Sequence, residues 1–207
     1  MIPTKPIGLP SPRVVVLAAG FSVRMGKPKA LARVRGRSLI ERTLRVLAPF
    51  ATAAIIVVVP PRASRLRAEL RGHRSMLVAS PLASAGLSSS VRRGLRQARY
   101  EAAALLVPVD LPYLEHRDIA RLIARWRGAR RRVAARRIGA EAGAPLILPR
   151  RLYPSALGIA GDVGLKALIR HLPAQDVALV SLDSAAFDVD TTRDLERARR
   201  HTRLREP

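Results

Sequence analysis

Unbroken apolar blocks alternate along this chain with segments whose apolar residues recur every three or four positions. The first block, VVVLAA from Val14 to Ala19, stops at Gly20, and a polar stretch rich in Gly, Pro and Lys runs from there to Ser38. SLIERTLRVL then reads as a helix opened by a capping box, Ser38 with Glu41 three residues on. Ala53 to Val59 reads as a buried strand, SRLRAELR as a helix, SMLVAS as a strand, SSVRRGLRQAR as a helix, and Ala103 to Val109 as a further strand. HRDIARLIARW places Ile119, Leu122, Ile123 and Trp126 on one helical face, and RRVAARR follows as a short strand. Beyond Gly139 the pattern is less regular until FDVDTTRDLERA, which combines a short strand with a helix opened by Thr191 and boxed by Asp194.

Strands without internal polar positions, alternating with helices, predict an α/β domain: a mostly parallel sheet with helices on both faces, Rossmann-like in outline. One domain is expected over residues 13–200. The four prolines of residues 1–12 predict an extended or disordered lead-in, and 201–207 reads as a tail. In open α/β sheets ligands gather at the carboxyl ends of the strands, which points to the loop after Ala19 and to the turn at Asp110.

Composition narrows the chemistry. With no cysteine and four histidines without paired ligand spacing, zinc sites and thiol nucleophiles are excluded, so any metal would be held by oxygen. No apolar run reaches membrane-spanning length and the first residues lack a signal-peptide core; a cytoplasmic protein with no membrane partner is expected. The net charge of +23 invites a nucleic-acid reading, yet the aromatic content of 3% offers few stacking platforms. Nucleic acid is therefore not the expected partner. The first hundred residues hold 19 basic and two acidic side chains, an asymmetry that suits a polyanionic small molecule.

The loop after the first strand has neither Gly-Lys-Ser/Thr at a helix start nor G-x-G-x-x-G, which disfavours P-loop ATPases and dinucleotide dehydrogenases. Gly20 permits close backbone approach, Ser22 adds a hydroxyl, and Arg24, Lys27 and Lys29 add charged donors. These residues suit a triphosphate as well as they suit a solvated basic loop. Asp110, at a strand end before Pro112, either caps a turn or holds Mg²⁺. Ser88, Ser89 and Ser90 either cap a helix or, with Gly86, present N–H groups to an anion. Asp188 and Asp190 point to one side if their segment is a strand. Asp162 either caps the helix at Leu165 or binds ligand.

The stretch LAAGFSVRMGKPK, Leu17 to Lys29, resembles the signature of the MobA-like NTP transferases, and within that superfamily it is most similar to molybdenum cofactor cytidylyltransferases. ASAGLSSSVRRGL, VPVDLPYL, EAGAPLILPRRL, GDVGLKAL and FDVDTTRDLERA resemble further family segments in chain order. The resemblance implies that the backbone of Leu17, Ala18, Ala19 and Gly20 meets the base, that Arg24 contacts the triphosphate, and that Lys29 neutralises the phosphates. It implies nucleotide contacts near Ser80, Gly86, Ser88 and Ser89. It also implies Asp110 as the main Mg²⁺ ligand with Asp190 approaching the metal, and an acceptor side at Gly143, Pro145, Gly161 and Asp162. The implied reaction is attack by an acceptor phosphate, of molybdopterin type, on the α-phosphorus of an NTP. Ala19 and Pro28 favour CTP as donor. Ser80, Leu111 and Ala144 stand where the family usually has Asn, Gln or Met, and His. They keep open a guanylyl-, uridylyl- or sugar-phosphate nucleotidyltransferase, and beyond those a non-catalytic basic nucleic-acid-binding module.

Overall fold

The computed structural model describes residues 10–20, 28–80, 87–159 and 164–200. Seven strands form one sheet in the order β5-β4-β1-β6-β8-β7-β9. The strands are β1 (Arg13–Leu17), β4 (Ile55–Val59), β5 (Ser75–Ala79), β6 (Ala103–Pro108), β7 (Val133–Ile138), β8 (Glu141–Pro149) and β9 (Val177–Val180). β4, β1 and β6 pair in parallel at the centre, β5 joins β4 in parallel, and β9 joins β7 in parallel. β8 runs antiparallel to both β6 and β7. Every strand except β8 therefore ends at the same edge, and β8 begins there.

Successive residues of the central strands serve opposite faces. Val14, Val16, Ile55, Val57, Leu105 and Val107 face α1 (Leu39–Leu47), α2 (Ser64–Glu69) and α4 (His116–Gly128), with Ile119, Leu122, Ile123 and Trp126 buried among them. Val15, Leu17, Ile56, Val58, Ala104 and Leu106 face α3 (Leu87–Gln97), α5 (Tyr153–Leu157) and α6 (Gly164–Arg170). Burying such a side chain contributes roughly 1.5–3 kcal/mol, and strands buried on both faces need apolar residues throughout, which is why these read as unbroken runs. α3 can lie this close only because residue 94 is Gly: a Cβ there would stand 2.5 Å from Cγ1 of Val15.

Local signals set the helix starts. Ser38 accepts the Glu41 N–H at 3.2 Å, while the Glu41 carboxylate meets Arg45 and Arg37. Glu115 and Asp118 form a full capping box on α4. A two-residue turn at Arg35 (φ +50°) and Gly36 (φ +79°) closes the small hairpin β2 (Arg33–Val34) and β3 (Arg37–Ser38). That hairpin, with α7 (Thr192–Arg200), shares a third cluster of Val34, Leu39, Val189, Leu195 and Ala198.

Three sequence expectations are corrected. The stretch after Gly139 is a nine-residue strand with a register shift against β7, hidden in the pattern because the half-buried Ala142, Gly143 and Ala144 interrupt the apolar run. The 187–190 segment is not a strand; it is held by one backbone bond, from the Val189 N–H to the Asp110 carbonyl at 2.8 Å. The serines of α3 are not its cap, because the helix already includes Leu87 and Ser88–Ser90 lie buried in its first turns. Of the expected lead-in, Arg127 holds the Pro10 carbonyl and the Ser11 hydroxyl; residues 1–9 and 201–207 lie outside the described residues. Among the described residues no helix is long and apolar enough to cross a membrane.

Candidate active site

The common edge gathers Lys29, Asp110 and Asp190. β1 delivers Ala18, Ala19 and Gly20; the Ala18 N–H bonds the Val58 carbonyl at 2.9 Å, Ala18 and Ala19 are buried, and Gly20 is exposed, where a Cβ would meet none of the described residues within 4 Å. Lys29 opens a single 3-10 turn after Pro28, and that turn is locked to the β2–β3 hairpin through the Leu39 N–H on the Ala32 carbonyl. β6 delivers Asp110, and the turn before α7 delivers Asp190. Their contact with Lys29 is direct: its Nζ donates to Oδ1 of Asp190 at 2.8 Å and to Oδ2 of Asp110 at 3.3 Å. Residues separated by 81 and 161 positions thus meet on one ammonium.

Burial differs across this cluster. The side chains of Lys29 and Asp110 are 17% and 25% exposed, whereas Asp190 is 59% exposed. Desolvation pushes the Asp110 carboxyl above its usual range and the nearby Asp188 and Asp190 add to this, with Lys29 opposing it. Burial pulls the Lys29 ammonium down, but the Asp110 and Asp190 carboxylates outweigh it and hold it above its ordinary value. Asp188 turns to Arg136 of β7, whose Nη1 and Nη2 reach its two oxygens at 3.0 and 3.4 Å.

A divalent cation fits this donor set. Among the described residues no three His, Cys, Asp or Glu side chains converge into a metal cluster. Mg²⁺, however, commonly takes one or two carboxylates and completes its shell with water and substrate phosphates. Asp110 and Asp190 are two carboxylates already drawn together by a cation. Asp194 stays out of the site: its carboxylate accepts from the Thr191 N–H and hydroxyl at 2.9 and 2.7 Å, and Thr191 caps α7 in return.

The remaining candidates divide. Ser80 is fully buried at the end of β5 and its hydroxyl meets that of Ser89 at 3.0 Å, joining β5 to the first turn of α3. Gly143 and Pro145 lie at the start of β8, hence at the same edge as Asp110, with Gly143 packed against Ile138. Leu111 is buried in the α1/α4 face, so its departure from Gln or Met alters packing. Ser22, Arg24, Gly86, Gly161 and Asp162 lie outside the described residues. Arg136 and its partnership with Asp188 were not singled out from sequence; an Arg within a strand of buried alanines was the available signal.

A profile of the MobA-like NTP transferase domain matches residues 14–199, nearly the whole chain. The chain belongs to the MobA-like NTP transferase family. The fold is the Rossmann-like nucleotidyltransferase fold, and the enzyme is a nucleotidyltransferase of that superfamily. The protein is 30% identical over 200 residues to nicotine blue oxidoreductase of Paenarthrobacter nicotinovorans, covering 91% of this chain and 97% of that one. It is 34% identical over 113 residues to molybdenum cofactor guanylyltransferase of Rhizobium meliloti strain 1021, covering 54% and 51%. The crystal structure of Rv0371c from Mycobacterium tuberculosis H37Rv superposes with a TM-score of 0.76 at 25% identity, covering 92% of this chain and all of that one. A structure of the same mycobacterial protein in complex with manganese superposes with a TM-score of 0.70 at 25% identity, covering 89% and 96%. These likenesses support the MobA-like family, and the cofactor-pathway relative among them is a guanylyl- and not a cytidylyltransferase.

Proposed function

We propose that this protein transfers a nucleoside monophosphate from an NTP to the terminal phosphate of a small, molybdopterin-type acceptor, releasing pyrophosphate. The observation that carries the reading is the meeting of Lys29, Asp110 and Asp190 at the carboxyl edge of the sheet.

The chemistry asks little of the protein beyond positioning and charge. A phosphomonoester has a second pKa of about 6, so the acceptor oxygen is already anionic at neutral pH and needs no general base. It attacks the α-phosphorus in line, and pyrophosphate departs from the opposite side. Lys29 donates to the phosphate oxygens as charge moves toward the leaving group. The backbone from Leu17 to Gly20 holds the base and Arg24 the triphosphate; Ser80 and Ser89 fix the first turn of α3, which with Gly86 and Ser88 faces the nucleotide. Gly143 and Pro145, at the start of β8, serve the acceptor side, to which the resemblance also assigns Gly161 and Asp162. Asp110 and Asp190 would hold Mg²⁺, which when bound supplies charge neutralisation to the transferring phosphate.

Ala19 and Pro28 make CTP the favoured donor. The guanylyltransferase from Rhizobium meliloti supports GTP as a second reading. The relative named an oxidoreductase, similar over nearly its full length, supports a redox reaction on a small molecule as a third. Paired carboxylates bridged by an ammonium suit phosphoryl chemistry best, which ranks transfer first. Pyrophosphate release measured with CTP, GTP, UTP and ATP, Mg²⁺ and a molybdopterin acceptor tests this directly. Release with CTP supports the proposal in full, and release with GTP alone shifts the donor. No release with any NTP, alongside turnover of a reduced nicotinamide dinucleotide, would replace transfer by redox chemistry.

A further inference from the structure

We infer that Arg136 is a positioning residue for this reaction: its buried guanidinium clamps the 183–190 segment and so sets where Asp190 stands relative to Asp110. The inference rests on the transfer reading above for its functional half.

Arg136 is an anomaly in its strand. Val133, Ala134 and Ala135 are fully buried, as β7 requires between β8 and β9, and the next residue is an arginine whose side chain is only 6% exposed. Keeping a guanidinium from water is costly unless its donors are matched. Here they are matched on one segment: Nη1 donates to the Ala185 carbonyl and to Oδ1 of Asp188, and Nη2 reaches Oδ2 of the same carboxylate. The β7–β8 register steps from Ala135 opposite Leu146 to Arg136 opposite Gly143, so the extra residues, Ala144 and Pro145, bulge from β8 while β7 keeps its alternation. The alternation of β7 sends residue 136 to the α4 side of the sheet, where Leu182 and Ala185 lie in the same cluster as Ala134.

The clamp bears on the site through three consecutive residues. Asp188 is held by Arg136. Val189 is fully buried in the third cluster and donates its N–H to the carbonyl of Asp110. Asp190 then meets Lys29. With no ladder of its own, this segment owes its path to those contacts, to Phe187 packed on Tyr113 and to the Asp190 N–H donated to Asp194. Arg136 has a second effect: it occupies both oxygens of Asp188, which stands close enough to act electrostatically on Asp110. Asp188 is thereby withdrawn as a competing ligand, and Asp190 is left as the partner of Asp110. A lysine cannot reproduce the planar two-oxygen grip.

The test compares the parent with Arg136→Gln, Arg136→Lys, Asp188→Asn and the double variant Arg136→Gln/Asp188→Asn. Hydrogen exchange is read over residues 183–190, and Mn²⁺ binding is followed by electron paramagnetic resonance in the presence of a non-hydrolysable NTP analogue. Supporting groups around metal ligands typically carry about 10–100-fold in metal affinity. Both Arg136 variants are expected to lose Mn²⁺ affinity by at least about tenfold. They should also exchange faster at the Val189 amide, with the β1, β4 and β6 amides unchanged, and show a lower kcat at little-changed KM for the NTP. Arg136→Lys should not rescue. The double variant should bind Mn²⁺ better than Arg136→Gln, because the stranded Asp188 carboxylate is gone. Unchanged exchange at 183–190, or Mn²⁺ affinity within about twofold of the parent, would overturn the inference. A parent that releases no pyrophosphate with any NTP would overturn the transfer reading instead, and the exchange measurement would then decide the clamp alone.

Discussion

Lys29 occupies the position that a divalent cation would be expected to take, and removing it has two effects of opposite sign. In Lys29→Met the ammonium that bridges Asp110 and Asp190 at 3.3 and 2.8 Å is gone. At an effective dielectric of about 20, each contact has a gross attraction of roughly 5 kcal/mol. The Asp190 contact is reduced by its solvent exposure to no more than about 1 kcal/mol net. The Asp110 contact retains more, since breaking a buried pair by removing one partner costs about 3–5 kcal/mol and this carboxylate is only partly open to water. The variant is therefore expected to lose roughly 2 kcal/mol of stability without metal, or about 4–8 °C in Tm. With the internal cation removed, the same two carboxylates become an open divalent site. Mn²⁺ in the absence of nucleotide should then bind at least about tenfold more tightly than to the parent, each 1.4 kcal/mol of relieved competition being a factor of ten. Transfer should fall by about 10²–10³, the range for losing one charge-stabilising donor. Mn²⁺ titration followed by electron paramagnetic resonance, with melting curves at rising MgCl₂, reads both signs: the variant melts low without metal and recovers with it. A variant that binds Mn²⁺ no better than the parent, or that turns over normally, would refute the placement of Lys29 between substrate phosphate and carboxylates.

Asp110→Asn is expected to abolish transfer and yet raise Tm at pH 7. The folded-state pKa of Asp110 lies above its reference value of 3.8, so ionising it costs the folded protein, and that cost is present at neutral pH and disappears as pH falls to the reference value. Melting curves from pH 7 downward should show the gap between variant and parent closing. Gly94→Ala places a methyl 2.5 Å from the stiff Val15 side chain, so it should cost about 1–3 kcal/mol despite the better helix propensity of Ala, measurable by urea unfolding. Tyr113→Phe removes the hydrogen bond from its hydroxyl to the Ala198 carbonyl at 3.1 Å and should cost about 1 kcal/mol, read as faster exchange in α7.

The central sheet was legible because it is buried on both faces: Val14–Ala19, Ile55–Val59 and Ala103–Val107 admit no polar residue, and such runs have few alternative readings. α4 was legible because Ile119, Leu122, Ile123 and Trp126 keep helical spacing. β8 was not, because an antiparallel strand entered through Glu141, Ala142, Gly143 and Ala144 lacks both the apolar run and the alternation. At the site, Lys29, Asp110 and Asp190 could be assigned from their resemblance to family segments, and the structure brings all three together. Arg136 was hidden by composition: its local signal, an arginine following the buried alanines of β7, is faint among 38 basic side chains, and its tertiary contacts are what distinguish it.

The same tertiary view changes how the residues that distinguish family branches are weighed. Ser80 is spent on Ser89, Leu111 packs against the α1/α4 face, and Ala19 lies beside Ile56 and Val58 on the α3 side of the sheet. None of the three presents a side chain to the open edge. On the proposed reading Ala19 acts on the base through the path of the backbone between Leu17 and Gly20, where the Ala18 N–H is already committed to Val58, and Ser80 acts through the first turn of α3. A methyl at position 19 fixes that path more firmly than a hydrogen would. Reading a base through backbone groups demands a fixed path, because each hydrogen bond to a nucleobase edge tolerates only a few tenths of an ångström before it weakens. On the proposed reading, in which the backbone from Leu17 to Gly20 meets the base, donor choice depends on how tightly β1 is packed at its carboxyl end.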